Sequence, residues 1–531
     1  MSPGCGIRRG CAAVVAVSVL VVWGPGSAPM ARQAVAVTSG TRLAGLRLGP
    51  HAVGFEVKPT IDPTREFRQG QHGTTMGLAI WYPATAGAPG VASSALDYRL
   101  LEFATPISEA ERHLYERNEV DALVGWRHIG VVALTDAEAR ASLHTRGIAV
   151  RDAPASAGRH PVVLLFGGRY YLSTTAELLA SHGFLVVAPF RFADMPTDVD
   201  SGQSSWYLEN AVRDAEWALH VIGADERADV RRVSAIGHGG GGLQAMLFAM
   251  RNTRLDAVVN LDAANFSSRS RARDLSFYSP RLVRAPFLYI ATAATRAGQD
   301  QFADFAAMIF SPRIEVVLEQ PEIRHHDLSD LGRAVTEPLR LRGDAQLAVQ
   351  RAYVDVHEMV VRFLLQHATR SGRADASFAE WMAATRTPGQ YAVTVHPGVE
   401  AAPGLAAVLQ TLDRTTAARL RAAHGTDPGA PVFQPANLAR IIAKALAASD
   451  FSTAVGIADL AVELHPGAMS LREQRVAAFE GAGALAKALA EATACASMSP
   501  GNDWQAAVAV RRCSQHVTRL ANVSGVRPDG R

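Results

Sequence analysis

Between about residues 45 and 370 the chain alternates unbroken apolar runs with segments of helical spacing. "TTMGLAIWYPA" (74–84), "HPVVLLF" (160–166), "FLVVAPF" (184–190), "VSAI" (233–236), "DAVVNLD" (256–262), "APFLYIATA" (285–293) and "RIEVVLE" (313–319) read as strands. "STTAELLASHG" (173–183) and "SSWYLENAVRDAEWALHVI" (204–222) read as helices between them. Continuous Val, Ile and Leu runs separated by helices predict a mostly parallel, doubly wound sheet buried on both faces. In such sheets the working groups sit at the carboxyl ends of the strands.

The alternation breaks twice. Residues 98–150 carry "LLEFATPISEAERHLYERNEVDALVGW" and "TDAEARASLHTRG", read as helices, with Thr135 the N-cap of the second. This insertion is expected either as a lid or wall over the strand ends or as a peripheral hairpin. Past residue 375, "RTPGQYAVTVHPGVEAAPG" (386–404) is rich in Pro and Gly and reads as a linker, beyond which the chain is Ala- and Leu-rich helix. There Pro466-Gly467 and Pro500-Gly501, Ala454 and Ala488, and Ala458 and Ala492 are each 34 residues apart. That period, with small residues packing the second helix and Pro ending it, is the tetratricopeptide pattern; Phe479 alone suggests its aromatic position.

The strand ends hold the candidate chemistry. "FGGRYY" (166–171) follows one strand, "GHGGG" (237–241) another, Asp262 a third, and "QPEIRHHDLSDLG" (320–332) the last. Gly237, His238, Gly239 and Gly241 have the spacing of a nucleophile elbow, G-x-S-x-G between strand and helix, but residue 239 is glycine. The order elbow, acid, histidine is that of α/β-hydrolases, where histidine takes the nucleophile's proton and the acid orients the imidazole. Three competing readings are weaker. A phosphate-cradling turn lacks a P-loop lysine, although Asp262 loosely meets the spacing of a dinucleotide fingerprint. A metal cluster at His325, His326, Asp327 and Asp330 lacks a second ligand set. Asp262 taken alone could be a strand-end turn residue.

These segments resemble α/β-hydrolases of the group around bacterial platelet-activating factor acetylhydrolases and dienelactone hydrolases, over roughly residues 45–370. The resemblance implies hydrolysis of small carboxylic or lipid esters; no cofactor and no metal are expected. It places the lost nucleophile at Gly239, the acid 23 residues later at Asp262, and the base at His325, which opens the "H-x-x-[FL]-S-D" run; His326 is the adjacent alternative. It implies oxyanion amides at Arg169 and Gly240, with Gly167 and Gly168 at the oxyanion strand end, where the family's histidine is replaced by Gly167. Losing the serine of such a site costs on the order of a million-fold in turnover.

The remaining features adjust this picture. With 531 residues, 48% hydrophobic and 19% charged, the chain can build more than one core, and its net charge of +3 gives no nucleic-acid footprint. Arg8 and Arg9 precede a 13-residue apolar run and small residues such as Ala34 and Ala36, read as a secretory signal too short to span a membrane. Removing it would leave only Cys495 and Cys513, which can pair in an oxidising compartment or stay as buried thiols.

The expected organisation is a signal peptide (1–36), an α/β-hydrolase-fold domain (40–375), a linker (376–404) and an all-α tetratricopeptide-like domain (405–531). The expected protein is exported, periplasmic or extracellular, with no transmembrane segment after signal removal. It is a catalytically impaired homologue that binds an ester- or lipid-like ligand or a partner in the old pocket. The alternatives are an active hydrolase using water or a side chain such as Ser173 or Tyr170, and an envelope scaffold that binds protein through its helical tail.

Overall fold

The computed structural model describes residues 41–65, 73–103, 105–125, 134–167, 171–192, 205–252, 254–263, 271–297, 303–330, 344–368, 378–385, 390–501 and 503–524. The expected signal peptide and Gly168, Arg169 and Tyr170 lie outside them.

Among the described residues eleven strands form one sheet: β1 (Ala52–Asp62), β2 (Thr74–Ala84), β3 (Ala92–Ser94), β4 (Arg146–Arg151), β5 (His160–Phe166), β6 (Leu185–Phe190), β7 (Ala228–His238), β8 (Ala257–Leu261), β9 (Phe287–Thr292), β10 (Arg313–Leu318) and β11 (Tyr391–His396). Their order is β11-β10-β9-β8-β7-β5-β6-β2-β1-β4-β3. From β6 to β10 every neighbouring pair is parallel, whereas β2 runs antiparallel to both β1 and β6. This is the expected α/β architecture, a doubly wound, mostly parallel sheet followed by a helical region.

Side-chain alternation along fully buried strands builds two cores. In β5, Val163 and Leu165 enter one and Val162, Leu164 and Phe166 the other. β6 divides likewise, with Val186 and Ala188 opposite Leu185 and Val187. Helices Ser173–Ser181 and Asp344–Ala368 cover the first face, and Ser205–Ile222 and Gly240–Arg251 the second. Each buried Val or Leu contributes about 1.5–3 kcal/mol relative to exposure, which explains why these strands read as unbroken apolar runs.

Two regions differ from the sequence expectation. The stretch expected as a linker carries the helix Phe378–Thr385 and then β11, which pairs antiparallel with β10 from Leu318↔Tyr391 to Arg313↔His396. Pro388-Gly389 favours a turn, while "YAVTVH" has the β-branched alternation of an edge strand. The 98–150 insertion has its two expected helices, Glu109–Gly125 and Asp136–His144, the second opened by a capping box between Thr135 and Glu138. It is framed by two unforeseen short strands, β3 and β4, that extend the sheet beyond β1. Leu96, Val120, Leu123, Leu134, Ala139 and Leu143 form its own small core, against which Tyr171 of the turn after β5 packs.

The C-terminal helices have a separate core around Leu438, Ile441, Ile457 and Leu471. Successive helices pack in order from Pro435–Ala447 through Phe451–Leu464, Met469–Gly481 and Leu485–Ala496 to Trp504–Ser524. The starts at Pro435 and Met469, and at Phe451 and Leu485, are each 34 residues apart. Arg284 fixes this layer to the sheet domain: it reaches buried Asp427 at 3.3 Å and lies over the Phe310 ring. A disulfide joins Cys495 to Cys513, 18 residues on, tying the last two helices together. A cross-link over that span stabilises by about 3 kcal/mol in the chain-entropy account. Cys513→Ser should therefore lower the melting temperature of the helical layer, followed by far-UV circular dichroism; an unchanged melt would show that the bond restrains nothing.

Candidate active site

Strand register assembles the site. His238 pairs with Leu261, Leu261 with Ile290, and Thr292 with Leu318, so the ends of β7, β8, β9 and β10 lie side by side. Backbone bonds continue past these ends: Gly239 N donates to Leu261 O at 3.0 Å and Asp262 N to Ile290 O at 2.7 Å. The Gly239 turn and Asp262 are thereby fixed to the same sheet edge.

Asp262 is fully buried and adopts φ +47°, an uncommon left-handed conformation that Asp tolerates better than most residues. Its Oδ1 accepts Thr292 N at 2.8 Å and Thr292 Oγ1 at 3.2 Å; its Oδ2 accepts Thr295 Oγ1 at 3.0 Å and faces His325 Nδ1 at 2.8 Å. Burying a lone carboxylate costs several kcal/mol. Burial alone would raise the carboxyl pKa, but the His325 hydrogen bond and charge, with Thr292 and Thr295, outweigh it and hold the pKa below the usual range. Sequence reading missed Thr292 and Thr295; the available signal was hydroxyl residues closing an otherwise apolar strand.

With Asp262 as acceptor, His325 carries its proton on Nδ1 and turns the Nε2 lone pair toward the elbow. His238 supports this ring, stacking on it at 4.4 Å between centroids and meeting the His325 carbonyl through Nε2 at 2.8 Å. Since a carbonyl only accepts, His238 is the donor. Burial, with His325 beside it, pushes the His238 pKa down to about 3, so its ring is neutral. The adjacent His326 packs edge-on against His325 at 5.0 Å, and the ring that meets Asp262 is that of His325.

Asp330 anchors the histidine turn from below. Its Oδ2 accepts Ser173 Oγ at 2.6 Å and Thr174 N at 2.8 Å, capping the helix that follows β5. Arg42 donates to Ser173 Oγ and to Glu177 Oε1, and Tyr98 also donates to Glu177. Ser173, the alternative nucleophile, is thus 1% exposed inside a buried ion network.

Gly239 has φ +56° and ψ −122°, a strained turn conformation at the start of the helix Gly240–Arg251. A Cβ at this position would lie 2.8 Å from His325 Nε2 and 3.0 Å from Cε1, with no backbone in the way. The neighbouring glycines differ. A Cβ at Gly237 would meet Gly241 O at 2.1 Å, at Gly241 would meet Phe166 O at 2.4 Å, and at Gly242 would meet Asn260 Oδ1 at 2.5 Å. Gly167 has φ +97° and faces the His238 carbonyl. Close packing demands glycine at 237 and 241, whereas position 239 projects at His325 Nε2. Gly240 opens the helix, so its N–H is among the first four, which lack intrahelical partners. Arg169 and Gly168 lie outside the described residues.

Among the described residues no group of three or more His, Cys, Asp or Glu could hold a metal ion, and no helix is long and apolar enough to cross a membrane. No family model matches the chain, and no curated protein does. Among solved structures the chain is similar to a ferulic acid esterase from Streptomyces cinnamoneus, with 19% identity and a TM-score of 0.45, over 67% of this chain and 99% of that one.

The ionisable groups around the site set a pH dependence. Burial pushes His238 down to about 3 and His326, beside His325, to about 4, while burial raises Asp327 to about 6. Between about pH 4 and 6 both histidines bind protons mainly when unfolded, which makes stability fall as pH falls. Asp327 binds its proton mainly when folded and opposes this, leaving a net uptake of about one proton on unfolding. The urea midpoint should therefore decline from pH 6 to 4; His238→Gln should flatten the decline and Asp327→Asn steepen it. A midpoint that rises over this window would contradict the assignment.

Proposed function

We propose that this chain is an exported α/β-hydrolase-fold protein of carboxylic-ester or lipid-ester hydrolase ancestry that has lost its nucleophile and binds a ligand or partner at the former catalytic site. The observation that carries the reading is the Gly239 elbow, which aims an absent side chain at His325 Nε2. In the proposed roles Asp262 is the orienting acid, His325 the base, and the Arg169 and Gly240 amides the oxyanion donors. The elbow, acid and histidine motifs support assignment to the group around platelet-activating factor acetylhydrolases and dienelactone hydrolases. The N-terminal apolar run and the Cys495–Cys513 bond both suit an oxidising compartment outside the cytoplasm. The 34-residue offset of the C-terminal helix starts supports a tetratricopeptide-like layer as the surface for a protein partner.

Binding is preferred over hydrolysis by a His325-activated water because the imidazole already stands against the elbow, closer than a side chain there would allow. A water would also lack the positioning of a tethered hydroxyl. Ser173 is a poor substitute, being held between Arg42 and Asp330.

Hydrolysis of p-nitrophenyl acetate separates the readings. Wild type and His325→Ala should have equal kcat/KM, whereas Gly239→Ser should raise it by at least about tenfold, recovering a small part of the serine's contribution. That variant should also lose about 1 kcal/mol or more of stability, because a side chain at φ +56° is strained and the His325 ring must shift. Wild-type turnover abolished by His325→Ala would overturn the proposal.

A further inference from the structure

We propose a second ligand site, independent of the elbow: a cleft at the β3–β4 edge that binds a small oxyanion, carboxylate or phosphate. The cavity measures about 540 Å³, within the range of roughly 300–1,000 Å³ typical of small-molecule sites. It lies between the edge strands and the insertion, so the insertion builds a pocket of its own there.

The wall chemistry selects the ligand. Arg146 and Arg151, the two ends of β4, line the cavity together with Arg112 and His144 from the two insertion helices. Asp97 is the one carboxylate in the lining, and it is already committed. Its Oδ2 accepts Ser94 N at 2.9 Å and Ser94 Oγ at 2.8 Å, and its Oδ1 accepts Arg112 at 3.2 Å. His144 meets Glu116 at 3.0 Å, and Arg151 approaches Asp152 only at 3.7 Å. Arg146 donates to the Ala92 carbonyl at 2.8 Å and has no carboxylate within ion-pair distance among the described residues. A guanidinium has five donors, so Arg146 keeps most of its fork available.

The remaining lining fits the same ligand. Ser93, 8% exposed, also lines the cavity beside the arginines. Phe55 and Leu101 close the floor, offering apolar contact to the body of an organic anion. Three arginines from two separate segments thus line a cavity that holds one committed carboxylate. An oxyanion would take charge-assisted, two-pronged hydrogen bonds that the protein itself leaves unmade.

The test is titration of the full chain with inorganic phosphate and, separately, with sodium benzoate, by calorimetry against sodium chloride of matched ionic strength. The expected result is saturable binding of at least one probe at one site; tighter benzoate binding would identify an organic carboxylate, tighter phosphate binding a phosphate. Arg146→Gln and Arg151→Gln should each weaken binding by about tenfold, while Arg231→Gln, an exposed arginine on β7, should not. Circular dichroism of each variant confirms that it is folded. No saturable binding of either probe, or equal binding by wild type, Arg146→Gln and Arg151→Gln, would overturn the proposal. So would binding that His325→Ala abolishes and Arg146→Gln leaves intact, because it would place the anion at the elbow.

Discussion

The site depends on one buried contact, the 2.8 Å pairing of Asp262 with His325. A carboxylate with no solvent exposure persists only when nearby donors replace its water. Thr292, Thr295 and the imidazole supply them, and each comes from a different point along the aligned strand ends. The contact therefore constrains the register of β8 against β9 and the path of the chain after β10. His238 stacked behind the ring and Asp330 pinning the histidine turn to the helix after β5 extend the same constraint toward the rest of the sheet.

Against that well-supported pair, the nucleophile loss that we propose is local to Gly239. The turn keeps the geometry that points residue 239 at the base, and the glycines required for close approach are those on either side of it. Glycine at 239 relieves the strain that any side chain would carry at φ +56° and lets the imidazole settle against the backbone. In the proposed reading, His325 and Asp262 stay paired with nothing tethered at position 239 for the imidazole to deprotonate.

The core of the fold was legible because the central strands are buried on both faces and so appear as unbroken apolar runs, as in "HPVVLLF" and "APFLYIATA". That Gly239, Asp262 and His325 come together at the strand ends was legible from their order and spacing. Less legible were elements whose identity depends on a distant partner. β3 is three residues long, and β11 reads as a linker until β10 is placed beside it. The Arg42–Glu177–Tyr98 network joins residues up to 135 apart, and no local pattern signals it. Ser173 looked available as a nucleophile because sequence does not reveal that Arg42 and Asp330 enclose it.

The central claim, a maintained base facing a missing nucleophile, is tested most directly by covalent labelling. Intact-mass spectrometry after treatment with a fluorophosphonate should find wild type unmodified and Gly239→Ser carrying one adduct at position 239. A wild-type adduct that disappears in His325→Ala would contradict the account, since it would reveal a nucleophile that His325 activates from elsewhere in the chain.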